Sequence, residues 1–266
     1  MAPLGAVRAR LPRTAPAPRR PQPRLCLLFE LAAVAAWIAV IALTVTGAAV
    51  DAAHHHTAPS HAAHAAHAAH AVPGPGVFGG LAIWALMCVA MMLPAALPAL
   101  AHVGANSLRR RRQRAMAGFA AVYLAVWTGY GALLLALAPL WSRLPGDAVL
   151  ACALALASGW QLTVHKRRAL RDCHRSSPLP LSGLRALAGT GRFGLRHGGA
   201  CLRSCWALML VMAVAGGGPG MLGWMAALTG IVTAERFART PRRSASLAAA
   251  ALAGAALAVA LRPALS

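Results

Sequence analysis

Residues 80–114 read GLAIWALMCVAMMLPAALPALAHVGANSLRRRRQR. From Gly80 to His102 there is no Asp, Glu, Lys or Arg, and then Arg109, Arg110, Arg111, Arg112 and Arg114 arrive almost together. A helix that crosses a bilayer needs about 20 mostly apolar residues. The stretch therefore reads as a membrane span that ends at a basic edge. The same alternation continues in both directions and gives seven apolar spans: Leu25–Val50, Gly80–His102, Ala117–Leu140, Asp147–Val164, Ala200–Gly216, Pro219–Ala234 and Ala245–Leu261. The fifth and sixth are parted only by Gly216-Gly217-Gly218-Pro219-Gly220, a run that breaks a helix because glycine loosens the backbone and proline lacks the amide donor. That run is a tight hairpin turn or a break in a re-entrant segment, so the expected fold is all-α, a polytopic transmembrane bundle of seven spans, or six.

Composition agrees. The chain is 59% hydrophobic yet carries a formal net charge of +21, two figures that conflict in a soluble domain unless the charges gather in the gaps. They do. Of the 26 Lys and Arg residues, only Arg143 and Arg262 fall on one side of the expected bilayer, and the rest sit in the N-terminal tail or near the ends of the even-numbered spans. Basic loops stay in the cytoplasm. The N-terminus is thus expected inside, and with seven spans the C-terminus outside. Charges in short loops that set topology and lie against anionic headgroups account for the basicity without nucleic acid. The expected setting is a membrane crossed several times, with its basic loops in the cytoplasm.

Residues 1–24, rich in Pro, Arg and Ala, read as a disordered cytoplasmic tail, and residues 25–262 as one membrane domain. The first span competes with a signal peptide, but its apolar run is long for an h-region of about 7–15 residues, so a retained helix is expected. Residues 51–79 form an outer loop rich in His. Residues 165–199 form a basic inner loop with a short interfacial helix near Leu181–Leu187. Cys26, Cys88, Cys152, Cys173, Cys201 and Cys205 all avoid the outer loops, which argues against a disulfide framework.

Three groups of residues can carry chemistry. The outer loop holds His54, His55, His56, His61, His64, His67 and His70. Neutral imidazole binds copper, zinc or nickel, and a flexible tract suits capture better than catalysis; the competing reading is a His/Ala low-complexity stretch. The second group is sulfur in the spans. Met87 and Met91, and Cys88 and Met92, are four apart and share helix faces, with Trp84, Pro94 and Pro98 beside them. In the fifth span Cys201, Cys205, Met209 and Met212 form a stripe, with His197 one turn earlier. Thiolate and thioether select Cu(I), whereas the competing reading is ordinary packing by Met and Cys. An antiparallel bundle would set Met91 and Met92 near Met209, and Cys201 and Cys205 level with His102. The third group is Trp160, Gln161, Thr163, His165 and Lys166, followed by Cys173 and His174; alone it is a weak metal signal. Glu235 followed by Arg236 reads as a simple interfacial ion pair. The acidic residues Glu30, Asp51, Asp147, Asp172 and Glu235 all lie outside the deep part of a span, which argues against a proton-coupled carrier. No P-loop, Rossmann fingerprint, HExxH or Ser-His-Asp order is present, and no enzyme is expected.

Three stretches resemble a known family: Trp84 to Pro94; Ser158 to Lys166 with Cys173; and Gly194-Leu-Arg-His-Gly198 running through Cys201 and Cys205 to Met209, Trp224, Met225 and Glu235. They are similar to the bacterial domain-of-unknown-function 2182 family, described as predicted metal-binding integral membrane proteins, some labelled copper chaperones. This sequence departs from the family where Trp160 replaces Tyr, Val164 replaces Pro and Ala169 replaces Cys, and in lacking an Asn near Met221. The missing Cys weakens an inner-loop site built on a pair with Cys173. The resemblance implies a metal-binding membrane protein. The expectation is copper, as Cu(I), held or passed on by Met and Cys, with zinc as second choice and a metallochaperone or membrane protein as partner. The alternative is a structural or assembly subunit whose Met and Cys fill gaps.

Overall fold

The structure, a computed structural model, describes residues 26–57, 77–175, 178–180, 183–215, 219–237 and 241–265. These form eight helices: α1 (Leu27–Thr57), α2 (Val77–Ala105), α3 (Arg112–Trp141), α4 (Gly146–Leu162), α5 (Val164–Cys173), α6 (Gly183–Val214), α7 (Pro219–Phe237) and α8 (Pro241–Leu265). No strand occurs among the described residues, so the all-α class stands. Five helices are long and apolar enough to cross a membrane: α1, α2, α3, α6 and α8. The count reaches six if α4 and α5, which meet at a 72° bend, form one broken span. Seven spans are not reached, because the 19 residues of α7 do not meet that standard.

The largest departure from expectation is α6. The expected short helix near Leu181–Leu187 and the expected span from Ala200 merge into one helix of 32 residues. Its first half carries Arg185, Arg192 and Arg196 among glycines, which lowers its hydropathy and hides it from a search for apolar runs. At about 1.5 Å per residue, α6 is longer than a hydrocarbon core of about 30 Å, so a polar first half need not lie in lipid.

Close approach of backbones sets the bundle. A Cβ on Gly194 would lie 3.2 Å from the Phe119 carbonyl oxygen and from Val122 Cβ, and one on Gly198 would lie 3.2 Å from Val126 Cγ2. The Gly194-x-x-x-Gly198 pair is thus the groove into which α3 packs, the small-residue pairing common between membrane helices. Gly131 does the same for α2, since a Cβ there would collide with the Trp84 ring. Trp84 Nε1 donates to the Trp127 carbonyl at 2.9 Å. Pro94 cannot donate to the Ala90 carbonyl, and Trp37 Nε1 of α1 does so instead at 3.1 Å. On the other flank α4 packs along α8, with Ser158 Oγ donating to the Ala249 carbonyl at 2.8 Å.

The bend between α4 and α5 has a local cause. Thr163 is extended, with φ −70° and ψ 150°, and its Oγ1 accepts from the Lys166 amide at 3.2 Å as the N-cap of α5. Helix α5 then buries Lys166, Ala169, Leu170 and Cys173, the spacing of one helix face. Lys166 is wholly buried, and its Nζ lies 2.8 Å and 3.0 Å from the two Glu235 carboxylate oxygens of α7. This pair pins α5 to α7.

Candidate metal site

The convergence of these helices falls on Cys201. The thiol is fully buried on α6. Tyr123 of α3 places its hydroxyl 3.2 Å from Cys201 Sγ and also donates to the Met92 carbonyl of α2 at 3.0 Å. Arg236, in the last turn of α7, donates from Nη2 to Cys201 Sγ at 2.8 Å and from Nη1 to the Ala95 carbonyl at 3.4 Å, while its Nε is buried with no partner. The thiols of Cys173 on α5 and Cys205 on α6 both lie near enough to the Cys201 thiol to interact with it. Cys205 Sγ also lies 3.3 Å from Ser204 Oγ. The result is a chain of three thiols, Cys205, Cys201 and Cys173, with Cys201 in the middle. Among the described residues no group of three or more His, Cys, Asp or Glu is placed to hold a metal ion, so the chain is not a closed cage.

A cavity of about 130 Å³ opens beside the Cys173 end of the chain, lined by Pro98, His102, Cys173, His174, His197 and Arg236 among others. His197 is buried among the rings of Phe119, Tyr123 and Phe193, with centroids 5.7, 5.8 and 6.0 Å away. Neither of its ring nitrogens has a well-formed hydrogen bond, although the Cys173 backbone lies close. Burying imidazole without partners is costly. His102, on α2, lies 5.6 Å from the Phe193 ring. It is therefore level with Phe193, two turns before Cys201 on α6, whereas Cys201 stands level with Met92 and Ala95. This corrects the expectation that Cys201 and His102 share a level.

The other candidate sulfur ligands lie in the same core: Met87, Cys88, Met91 and Met92 on α2, and Met209 and Met212 on α6. Cys88 is near enough to Cys201 to interact with it electrostatically. The backbone of α1 runs through His54, His55 and His56, and His61, His64, His67 and His70 lie outside the described residues.

Sequence reasoning missed Tyr123 and Arg236 and undervalued Cys173. The expected ion pair of Glu235 with Arg236 is not formed. Neighbours on a helix point in different directions, so Glu235 turns to Lys166 and Arg236 to Cys201. Ala169, where the resembled family has Cys, sits one turn before Cys173 on the buried face of α5. Cys173 finds its sulfur partner on α6 instead.

A family model described as a copper chaperone, PpoB2, matches residues 81–259, which take in every residue of this site. No curated protein and no solved structure matches the chain.

Proposed function

The chain belongs to the PpoB2 copper chaperone family, and from that premise we propose that it binds Cu(I) inside the membrane and hands it on. The single observation that carries this reading is the Cys205–Cys201–Cys173 thiol cluster beside a cavity with three histidines. Cu(I) is the cargo. Soft sulfur donors select it, and it accepts as few as two of them, which matches an open chain better than zinc's four-ligand tetrahedron. Taking up the ion releases two thiol protons, and moving it along the chain only exchanges one sulfur for the next. No substrate bond is made or broken, so the protein is a carrier and not an enzyme.

The other residues divide the task by place. His54, His55, His56, His61, His64, His67 and His70 collect metal outside. Met87, Met91, Met92 and Met209 supply thioethers in the membrane core, with Cys88 beside them. Cys201 and Cys205 hold the ion. His197 and His102 line the cavity through which it leaves, toward the cytoplasmic side where the N-terminus and the basic loops lie in the bacterial inner membrane. The receiver is a metallochaperone or a membrane-protein partner.

The test is an anaerobic titration of the detergent-solubilised protein with Cu(I), followed by thiolate-to-copper charge-transfer absorption. The absorption is expected to saturate in the parent, to vanish in Cys201→Ser, and to weaken in Cys173→Ser. Equal absorption in the parent and in Cys201→Ser would refute the assignment and favour the packing role for sulfur.

A further inference from the structure

Resting on that reading, we infer that Arg236 is the specificity-determining residue of the site: its guanidinium at the middle thiol matches the charge of a monovalent ion held by two sulfurs and excludes a divalent one. Two thiolates and Cu(I) sum to one negative charge, which the guanidinium on Cys201 Sγ cancels. Two thiolates and a divalent ion are already neutral, so the half-buried Arg236 would be left beside them without a counter-ion, a costly state away from water. Arginine does not escape by losing its proton.

The surrounding charges leave this role to Arg236. Lys166 is near enough to bear on Cys205, but its charge is met by Glu235 at 2.8 Å. Asp172 turns outward to Arg175 and Arg203 at the exposed edge. Arg236 reaches the thiol, spends Nη1 on the Ala95 carbonyl, and keeps Nε buried without a partner. A guanidinium so placed is not a solvated surface group that happens to lie nearby. The open geometry matters equally. Three thiolates with a divalent ion and one guanidinium would also be neutral, but no three donors converge among the described residues, so an ion rests on two sulfurs at a time.

Arg236 faces the one thiol that belongs to both pairs. When Cu(I) moves from Cys205 and Cys201 to Cys201 and Cys173, Cys173 gives up its proton and Cys205 takes one. The site therefore stays neutral at both stations. An unpaired cation at Cys205 or at Cys173 would favour one end and trap the ion there, and Lys166 near Cys205 is paired with Glu235.

The experiment is metal competition on the full chain in detergent, with Cu(I) and Zn(II) supplied alone and together, comparing the parent with Arg236→Gln and Arg236→Lys. The parent is expected to retain Cu(I) over Zn(II). Arg236→Gln is expected to lower the Cu(I)-to-Zn(II) ratio by at least about tenfold, as loss of a full charge at contact distance requires. Arg236→Lys keeps the charge without the planar fork and is expected to keep the parent's ratio. An unchanged ratio in Arg236→Gln overturns the inference while leaving copper binding intact. Should Arg236→Gln fail to fold, a collapsed ratio in a folded Arg236→Lys overturns the charge argument by itself. A parent that holds no Cu(I) refutes the proposed function instead, so the two failures are distinct.

Discussion

Cys201 draws its environment from four helices: Tyr123 of α3, Arg236 of α7, Cys173 of α5 and Cys205 of its own α6. Tyr123 joins the site to the frame, because one hydroxyl contacts both the Met92 carbonyl and the Cys201 thiol. Tyr123→Phe is expected to keep the fold, to cost about 1 kcal/mol of stability by the usual worth of a buried hydrogen bond, and to weaken Cu(I) retention. Thermal unfolding in detergent and a Cu(I) competition assay read the two effects separately. The residues legible in the sequence were those that one helix displays by its own period, namely Cys201, Cys205, His197 and the Met residues of α2 and α6. Tyr123, Cys173 and Arg236 were not legible as a group, since each comes from a different helix and only tertiary packing brings them to one sulfur.

The elements that create this meeting are two close contacts and one bend. The groove of Gly194 and Gly198 lets α3 lie against α6 closely enough for Tyr123 to reach Cys201. Gly198→Leu is expected to push the helices apart, lower the melting temperature by several degrees, and abolish copper retention without touching a ligand. The bend at Thr163 turns α5 beneath the bundle, and the Lys166–Glu235 pair holds it there. Lys166→Met leaves Glu235 buried without its partner and is expected to cost about 3–5 kcal/mol, whereas Lys166→Met with Glu235→Leu should recover much of that loss. Unfolding midpoints of the two variants in the same detergent decide it; equal losses would show that the pair does not act as a unit. The glycines at 194 and 198 were visible in the sequence as part of a family-like stretch, but their use was not. The polar start of α6 hid the true length of the helix that carries them.

At the scale of the molecule, long apolar helices and arginines gathered mostly between their apolar stretches were legible from the start, because both follow from the cost of burying charge in lipid. The span count was less so: α4 with its 17 residues and α7 with its 19 are short, and their role depends on packing that hydropathy does not measure. The orientation makes its own prediction. Reporter fusions should place the loop at Arg143 outside and the 109–114 segment inside; the opposite pattern would reverse the direction proposed for hand-off. The most direct test of the central claim is metal content by mass spectrometry of the detergent-purified protein after growth with copper, beside a Cys201→Ser, Cys205→Ser variant. Copper bound to the parent and lost in the variant is the predicted result. Equal copper in both, or none in either, would contradict a thiol-held copper site at the centre of this bundle.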